Sequence, residues 1–352
     1  MLLEALGPPP ALVVMEATGH YWKNLYASLV AAGHDVVLLN PIVARRFQQA
    51  RLERTKTDAI DAAALARFAF EKRPAPSYIP DAASEALREL VRHRDRLQQD
   101  FEDRVLQLHR LVDLGFPEFT HYVRGMHTML ATALLSECPT AAAFARTPPR
   151  RLAKLRDYGR HRVGEELAGR LVEGAKQSVG QHHGPVYDLQ ARHICQDLDL
   201  WRRRLKELET DIGGLLDAHE VGRRLTSIDG IGPNSAARII AIVGDPARLR
   251  SAGAFAAYVG VVPALRQSGK RTGTRAATGF GNAKLRSALW MTTLAAVRLN
   301  DWLRPFYDRL RAAGKPPKLA LIAAMRKLLH AVYSVAKNRT PFVTITEQAR
   351  AA

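Results

Sequence analysis

Four residues in this sequence have side chains and settings suited to chemistry on a phosphodiester: Glu16, Asp58, Asp61 and Ser268. Asp58 and Asp61 lie in "RTKTDAIDAAALARF" (54–68). Three residues apart, they share one face of a helix. Glu16 follows the apolar run "ALVVM" (11–15), and open α/β sheets place their sites at the carboxyl ends of strands. A helix packed across that sheet would bring three carboxylates together. Held close, they repel, and one takes up a proton unless a cation compensates. Mg²⁺ suits this setting, because it prefers carboxylate oxygens, water and phosphate. Two such ions about 3.5–4 Å apart clamp the attacking and leaving oxygens of a phosphodiester. The plainer alternative makes Asp58 and Asp61 helix-start acids that favour the macrodipole.

Ser268 lies in "RQSGKRTGTRAATGFGNAKLR" (266–286), which holds six Lys/Arg and no acid. Beside Gly269, Lys270 and Arg271, a serine can attack phosphorus while the cations stabilise charge developing on the phosphate oxygens. No His or Asp partner is adjacent in sequence, and the alternative is a phosphate-binding loop with an ordinary serine. A third stretch, "SIDGIGPNSAARII" (227–240), has the form of a helix-hairpin-helix turn. There Gly230 and Gly232 would let the backbone approach a phosphate, next to the free N–H groups of the following helix. A glycine-bearing loop before a helix is the plainer reading. The candidate nucleic-acid contacts are Lys56, Gly230, Gly232, Lys270, Arg271, Arg275, Asn282 and Arg286.

These residues need elements to position them. Near the N-terminus the pattern predicts a parallel strand at Ala11–Met15, a helix at Tyr21–Ala32, a second strand at Asp35–Leu39 and the helix carrying Asp58 and Asp61, which together form an α/β unit. A basic segment with Arg45, Arg46, Arg51, Arg54 and Lys56 precedes that last helix. "RPAPSYIP" (73–80) reads as a linker. Beyond it, Leu87, Leu90, Leu97, Phe101, Val105 and Leu108 run close to heptad spacing. Leu198, Trp201, Leu205, Leu208, Ile212 and Leu215 step 3, 4, 3, 4, 3, as a and d positions do. They predict either an amphipathic helix pair within one chain or an antiparallel hairpin that also dimerises. "RTPPRRLAKLRDYGRHR" (146–162) is a basic run that serves either as a solvated face or as a nucleic-acid contact. The last third reads as helical with glycine-rich loops.

Composition narrows the partner. The chain has 352 residues, with 52 Lys/Arg against 34 Asp/Glu, a net charge of +18. Such an excess points to a polyanion, most simply nucleic acid. No basic amphipathic helix with an aromatic face, no run approaching 18 apolar residues and no secretory leader stands out, so no membrane association is expected. Cys138 and Cys195 make neither a metal spacing nor a disulfide framework, which suits a reduced, cytoplasmic protein.

The stretches "VVMEATGHYW", "VVLLNP", "RTKTDAIDA", "LTSIDGIG", "FAAYVGVVP", "QSGK" and "GFGNAKLRSAL" resemble, in this order, the DEDD transposases of the insertion-sequence-110 type and the related pilin-gene invertases. The resemblance runs from about residue 11 to 300 and is weakest in the helical middle. It implies an α/β plus mainly α fold in three parts. These are a RuvC-like (RNase H-fold) DEDD domain at 1–72, a helical coiled-coil region at 81–220 and a helical C-terminal transposase domain at 221–340. It implies that Glu16, Asp58 and Asp61 match the second, third and fourth of four Mg²⁺-binding acids, and that Ser268 matches a serine that links covalently to DNA. It further implies a structured non-coding (bridge) RNA as guide and a homo-oligomer, dimer or tetramer, whose subunits share sites. The family's first acid has no counterpart: the only acid before Glu16 is Glu4, so the RuvC-like domain is expected to be incomplete. Three activities follow: serine-mediated, metal-assisted recombination; nucleic-acid binding without cleavage; or RuvC-like hydrolysis without Ser268.

Overall fold

The structure, a computed structural model, describes residues 2–51, 57–78, 80–156, 162–262, 264–268, 271–275 and 281–343, with the backbone alone for 2, 3, 264–268 and 271–275. The chain divides into two units, Met1–Pro80 and Asp81–Ala352.

In the first unit, helix α1 (Leu2–Leu6) leads to strand β1 (Leu12–Glu16), helix α2 (Trp22–Ala31), strand β2 (Asp35–Leu39), and helices α3 (Pro41–Ala50) and α4 (Asp58–Lys72). The strands pair in parallel, Leu12 opposite Asp35 through to Glu16 opposite Leu39. A parallel pair needs a crossover, and α2 supplies it, burying Tyr26 and Leu29 against Val36. β1 begins and ends one residue later than its sequence pattern predicts. Asn40 caps α3, its Oδ1 accepting from the Ile42 N–H at 2.9 Å, with Pro41 in the first turn. Thr57 caps α4 through its Oγ1, which accepts from the Ile60 N–H at 3.3 Å. The expected linker is partly structural. The Ser77 N–H donates to the Val36 carbonyl at 2.9 Å, and Ser77 Oγ accepts from the Leu38 N–H at 2.8 Å. A residue that reads as linker thus occupies the outer edge of β2. The unit is a small α/β element, and its two strands do not by themselves amount to an RNase H fold.

The second unit is built on two 34-residue helices, α5 (Ala82–Gly115) and α11 (Pro185–Ala218). They run antiparallel: Arg94 pairs with Glu209 at 2.9 Å and Arg104 with Asp197 at 3.1 Å. The heptad positions therefore form an intrachain pair. Between them lie α6 (Phe119–Tyr122), α7 (Met129–Glu137), α8 (Ala141–Arg146), α9 (Pro149–Ala153) and α10 (Glu165–Lys176). These short helices build one core around Phe116, Phe119, Leu134, Phe144 and Leu171. The opposite ends of the pair, at Leu87, Val91, Ile212 and Leu216, join a second core. The elements that supply it, α12 (Glu220–Leu225), α13 (Pro233–Val243), α14 (Ala252–Val259), α15 (Ala283–Leu299), α16 (Arg304–Ala312) and α17 (Pro317–Asn338), are helical, as expected. Cys138 and Cys195 are free and buried, and burial pushes the Cys195 thiol up to about 12.

Two findings depart from the sequence reading. Between α14 and α15 an antiparallel hairpin, β3 (Ala264–Ser268) and β4 (Arg271–Arg275), occupies part of what reads as a loop. Its sequence signal is faint, two five-residue runs separated by two residues of which the first is glycine. Secondly, α17 is long and apolar enough to cross a membrane by length and composition, with a mean hydropathy of 1.4. Basic residues interrupt its apolar run and mask this in the sequence, and more than half of its most apolar window is buried within its own unit.

Candidate functional site

The carboxylates come first. Glu16 and Asp61 line one crevice of about 10 Å³, together with Leu39, Ala44, Phe47, Gln48, Ala64, Leu65 and Phe68. α4 packs on β1, which brings the end of a strand and the first turn of a helix to one place. Phe47 of α3 meets Phe68 of α4 edge-on at 5.3 Å and sets the spacing of those helices. Each carboxylate is held by a neighbour that sequence reasoning did not single out. The Gln48 amide donates to Asp61 Oδ1 at 2.7 Å, and the Thr18 hydroxyl donates to Glu16 Oε1 at 2.5 Å. Thr18 carried a local signal, a hydroxyl two residues from the carboxylate. Gln48 carried none, because its position follows from the packing of α3 on α4.

Asp58 stands at the first position of α4, exposed, and does not line the crevice. Two of the three predicted acids are brought together and the third is not. Among the described residues no group of three or more His, Cys, Asp or Glu is placed to hold a metal ion. Glu16 and Asp61 offer oxygen donors of the kind Mg²⁺ takes, but they do not make a Mg²⁺ site by themselves. Lys56 lies outside the described residues. Arg51, from the same basic segment, pairs with Glu71 at 2.6 Å.

The glycine turn follows α12. Gly230 has φ +92°, and a Cβ there would lie 2.5 Å from Ala296 Cα, so this glycine is required by close approach to α15. The Asn300 amide donates to the Asp229 carbonyl and holds the turn from the same side. Gly232 differs. It is exposed, precedes Pro233 at the start of α13, and a Cβ would meet nothing. Of the two, Gly232 is the one open to a ligand.

The elements that flank the serine-bearing hairpin in sequence, α14 and α15, meet at a narrow neck. Gly260, at the C-terminus of α14, and Gly281, before α15, have φ +86° and +106°. A Cβ on Gly281 would lie 2.6 Å from Gly260 Cα. Asn282 closes the neck, its N–H donating to the Tyr258 carbonyl at 2.8 Å and its Oδ1 accepting from the Leu285 N–H at 2.9 Å as the cap of α15. Arg286 Nη1 donates to the Val259 carbonyl at 3.0 Å. Asn282 and Arg286 therefore tie the start of α15 to the end of α14. Ser268 ends β3 and stands directly opposite Arg271, the first residue of β4, while Arg275 ends β4. Lys270 lies outside the described residues. From residue 246 to 300 the sequence has no Asp or Glu and nine Lys/Arg.

Two family models match the chain. A transposase model of the DEDD IS110 type matches residues 3–117, and that of the transposase IS116/IS110/IS902 family matches residues 222–308. The chain is 29% identical to the insertion element IS116 44.8 kDa protein of Streptomyces clavuligerus, over 95% of this chain and 85% of that protein. It is 27% identical to the insertion element IS110 43.6 kDa protein of Streptomyces coelicolor, over 88% of this chain and 77% of that protein. It is 25% identical to the pilin gene-inverting protein of Moraxella lacunata, over 94% and 81% respectively. The first model spans the Glu16–Asp61 crevice and the second spans the glycine turn and the hairpin, and with these proteins they make the chain a relative of the IS110/IS116-family transposases and of the pilin-gene-inverting proteins.

Proposed function

We propose that this chain recombines DNA by strand exchange in which Ser268 is the nucleophile. One observation carries the reading: the two family matches fall on the segments that hold Glu16, Asp58 and Asp61 and on the segment that holds Ser268. In the proposed step Ser268 Oγ forms a bond to phosphorus and one phosphodiester P–O bond breaks. The leaving DNA oxygen takes up a proton and the serine loses one. A phosphodiester exchanged for a phosphoserine ester conserves bond energy, so rejoining needs no ATP. A serine hydroxyl is a weak nucleophile at neutral pH and needs activation. The cations of 266–286 would stabilise charge on the phosphate oxygens. Mg²⁺ dependence, guidance by a structured RNA, assembly as a dimer or tetramer, and a cytoplasmic location rest on family resemblance. So does the division into a RuvC-like part (1–72), a coiled-coil part (81–220) and a transposase part (221–340). No step is assigned to a metal, because the crevice acids do not complete a site.

A second reading, DNA binding without cleavage, is favoured by Asp58 standing outside the crevice. One assay separates the readings. The chain is incubated with element-end DNA and RNA from the element's own non-coding region, then resolved under denaturing conditions. Strand exchange through Ser268 gives a covalent protein–DNA adduct in the wild type and none in Ser268→Ala. An adduct that persists in Ser268→Ala identifies another nucleophile. Nicking without an adduct indicates hydrolysis, and binding with neither supports the second reading.

A further inference from the structure

The β3–β4 register places every arginine of the hairpin on the face that holds Ser268. In an antiparallel pair, directly opposed residues share a face and successive residues alternate. Ser268 opposes Arg271, Arg266 opposes Gly273 and Ala264 opposes Arg275. One face therefore holds Ser268, Arg266, Arg271 and Arg275. The other holds Leu265, Gln267, Thr272 and Thr274, with no charged residue. Arg266 stands diagonal to both Arg271 and Arg275, a spacing of about 7–8 Å in such ladders. Diagonal neighbours on one face are within reach of long side chains, so these like charges repel, and no acid lies within residues 246–300 of the sequence. Gly273 adds no side chain to this face where it opposes Arg266. A negatively charged ligand would relieve the repulsion, and its groups would lie on the face of the serine.

We infer that this face is a phosphate-binding surface for the DNA backbone, in which Arg266 acts with Arg271 and Arg275 and the opposite face takes no part. The inference rests on the proposed DNA reaction only for its choice of ligand. It adds Arg266 to the residues that meet DNA, and it makes binding depend on the side of the hairpin as well as on the net charge. That dependence has a direct test, because a one-position shift of a residue along a strand changes its face.

Arg266→Gln combined with Gln267→Arg keeps the composition and net charge of the chain and moves one cation to the other face. Affinity for a 30-bp duplex DNA would be measured against salt for the wild type, Arg266→Gln, the exchanged double variant and Gln267→Ala. Thermal midpoints would check folding. Removing a side chain that neutralises one phosphate flattens the slope of log affinity on log salt by about 0.9 on B-DNA. Arg266→Gln and the double variant are both expected to lose that increment, and Gln267→Ala to keep the wild-type slope. A double variant that binds as the wild type does would show that net charge alone matters and would overturn the proposal. Losses confined to a single-stranded RNA of the same sequence would also overturn it, assigning the face to RNA. Ser268→Ala is expected to leave the slope intact, so failure of the nucleophile reading and failure of the binding face give different results.

Discussion

At the scale of single residues, side chains in this protein are set by a few short hydrogen bonds. Asp81 caps α5: its Oδ1 accepts from the Ser84 N–H at 2.8 Å and its Oδ2 from the Ser84 hydroxyl at 2.9 Å. His219 caps α12 with Nδ1, which accepts from the Gly222 N–H at 3.0 Å. The other ring nitrogen then carries the hydrogen and reaches Ser84 Oγ, 3.0 Å away. Ser84 thereby joins the caps of two helices distant in sequence. Burial alone would raise the Asp81 carboxyl, but the two bonds it accepts from Ser84 outweigh it and hold the carboxyl below its ordinary value. A depressed carboxyl stabilises the fold above its unfolded pKa of about 4, and that contribution is lost as pH falls through the folded value. Asp81→Asn is therefore expected to flatten the acid limb of a stability-versus-pH curve below about pH 4 while changing stability at pH 7 by about 1 kcal/mol. Urea unfolding at several pH values checks this, and an unchanged acid limb in the variant would exclude Asp81 as its source.

At the scale of elements, the two glycines of the turn before α13 do different work. Gly230 combines a left-handed φ with backbone contact to α15, so Gly230→Ala meets both strain and overlap. It should cost about 2 kcal/mol or more, read as a lowered thermal midpoint. Gly232→Ala meets open space at φ −77° and should leave stability within about 0.5 kcal/mol. Any loss of DNA affinity in Gly232→Ala then reports contact at the turn and not unfolding. Equal destabilisation by both substitutions would contradict the packing described for Gly230. The same logic governs the Gly260–Gly281 neck, where two glycines let α14 and α15 approach closely.

At the scale of the whole molecule, charge is the dominant property. A net +18, with nine Lys/Arg and no acid from 246 to 300, makes phosphate neutralisation the main source of nucleic-acid affinity. For about six phosphate contacts, affinity for duplex DNA should fall by about 10³ between 50 and 200 mM salt. Fluorescence anisotropy with a labelled duplex measures this directly, and an affinity independent of salt would remove the phosphate-binding account. Each unit has its own core, a small one around Tyr26, Leu29 and Val36 and two larger ones at opposite ends of the α5–α11 pair. The larger unit therefore does not depend on the smaller for its interior.

The sequence by itself determined what local periodicity and composition carry. The β1–α2–β2 order, the helix that carries Asp58 and Asp61, the two long heptad helices and the basic stretch around Ser268 are all legible, because each depends on residues near one another along the chain. Composition likewise pointed to a polyanionic partner. Only the tertiary structure decided which distant groups meet. Asp61 joins Glu16 in a crevice, whereas Asp58, on the same face, stands exposed at the first position of α4, where the helix begins. Gly230 serves α15, 66 residues further on, and no local signal reports so distant a neighbour. The hairpin's face is set by cross-strand register, which brings Arg271 and Arg275 of β4 to the side of Arg266 and Ser268. A side-chain period of two makes that sorting absolute once the strands pair, and nothing within either strand alone fixes the pairing.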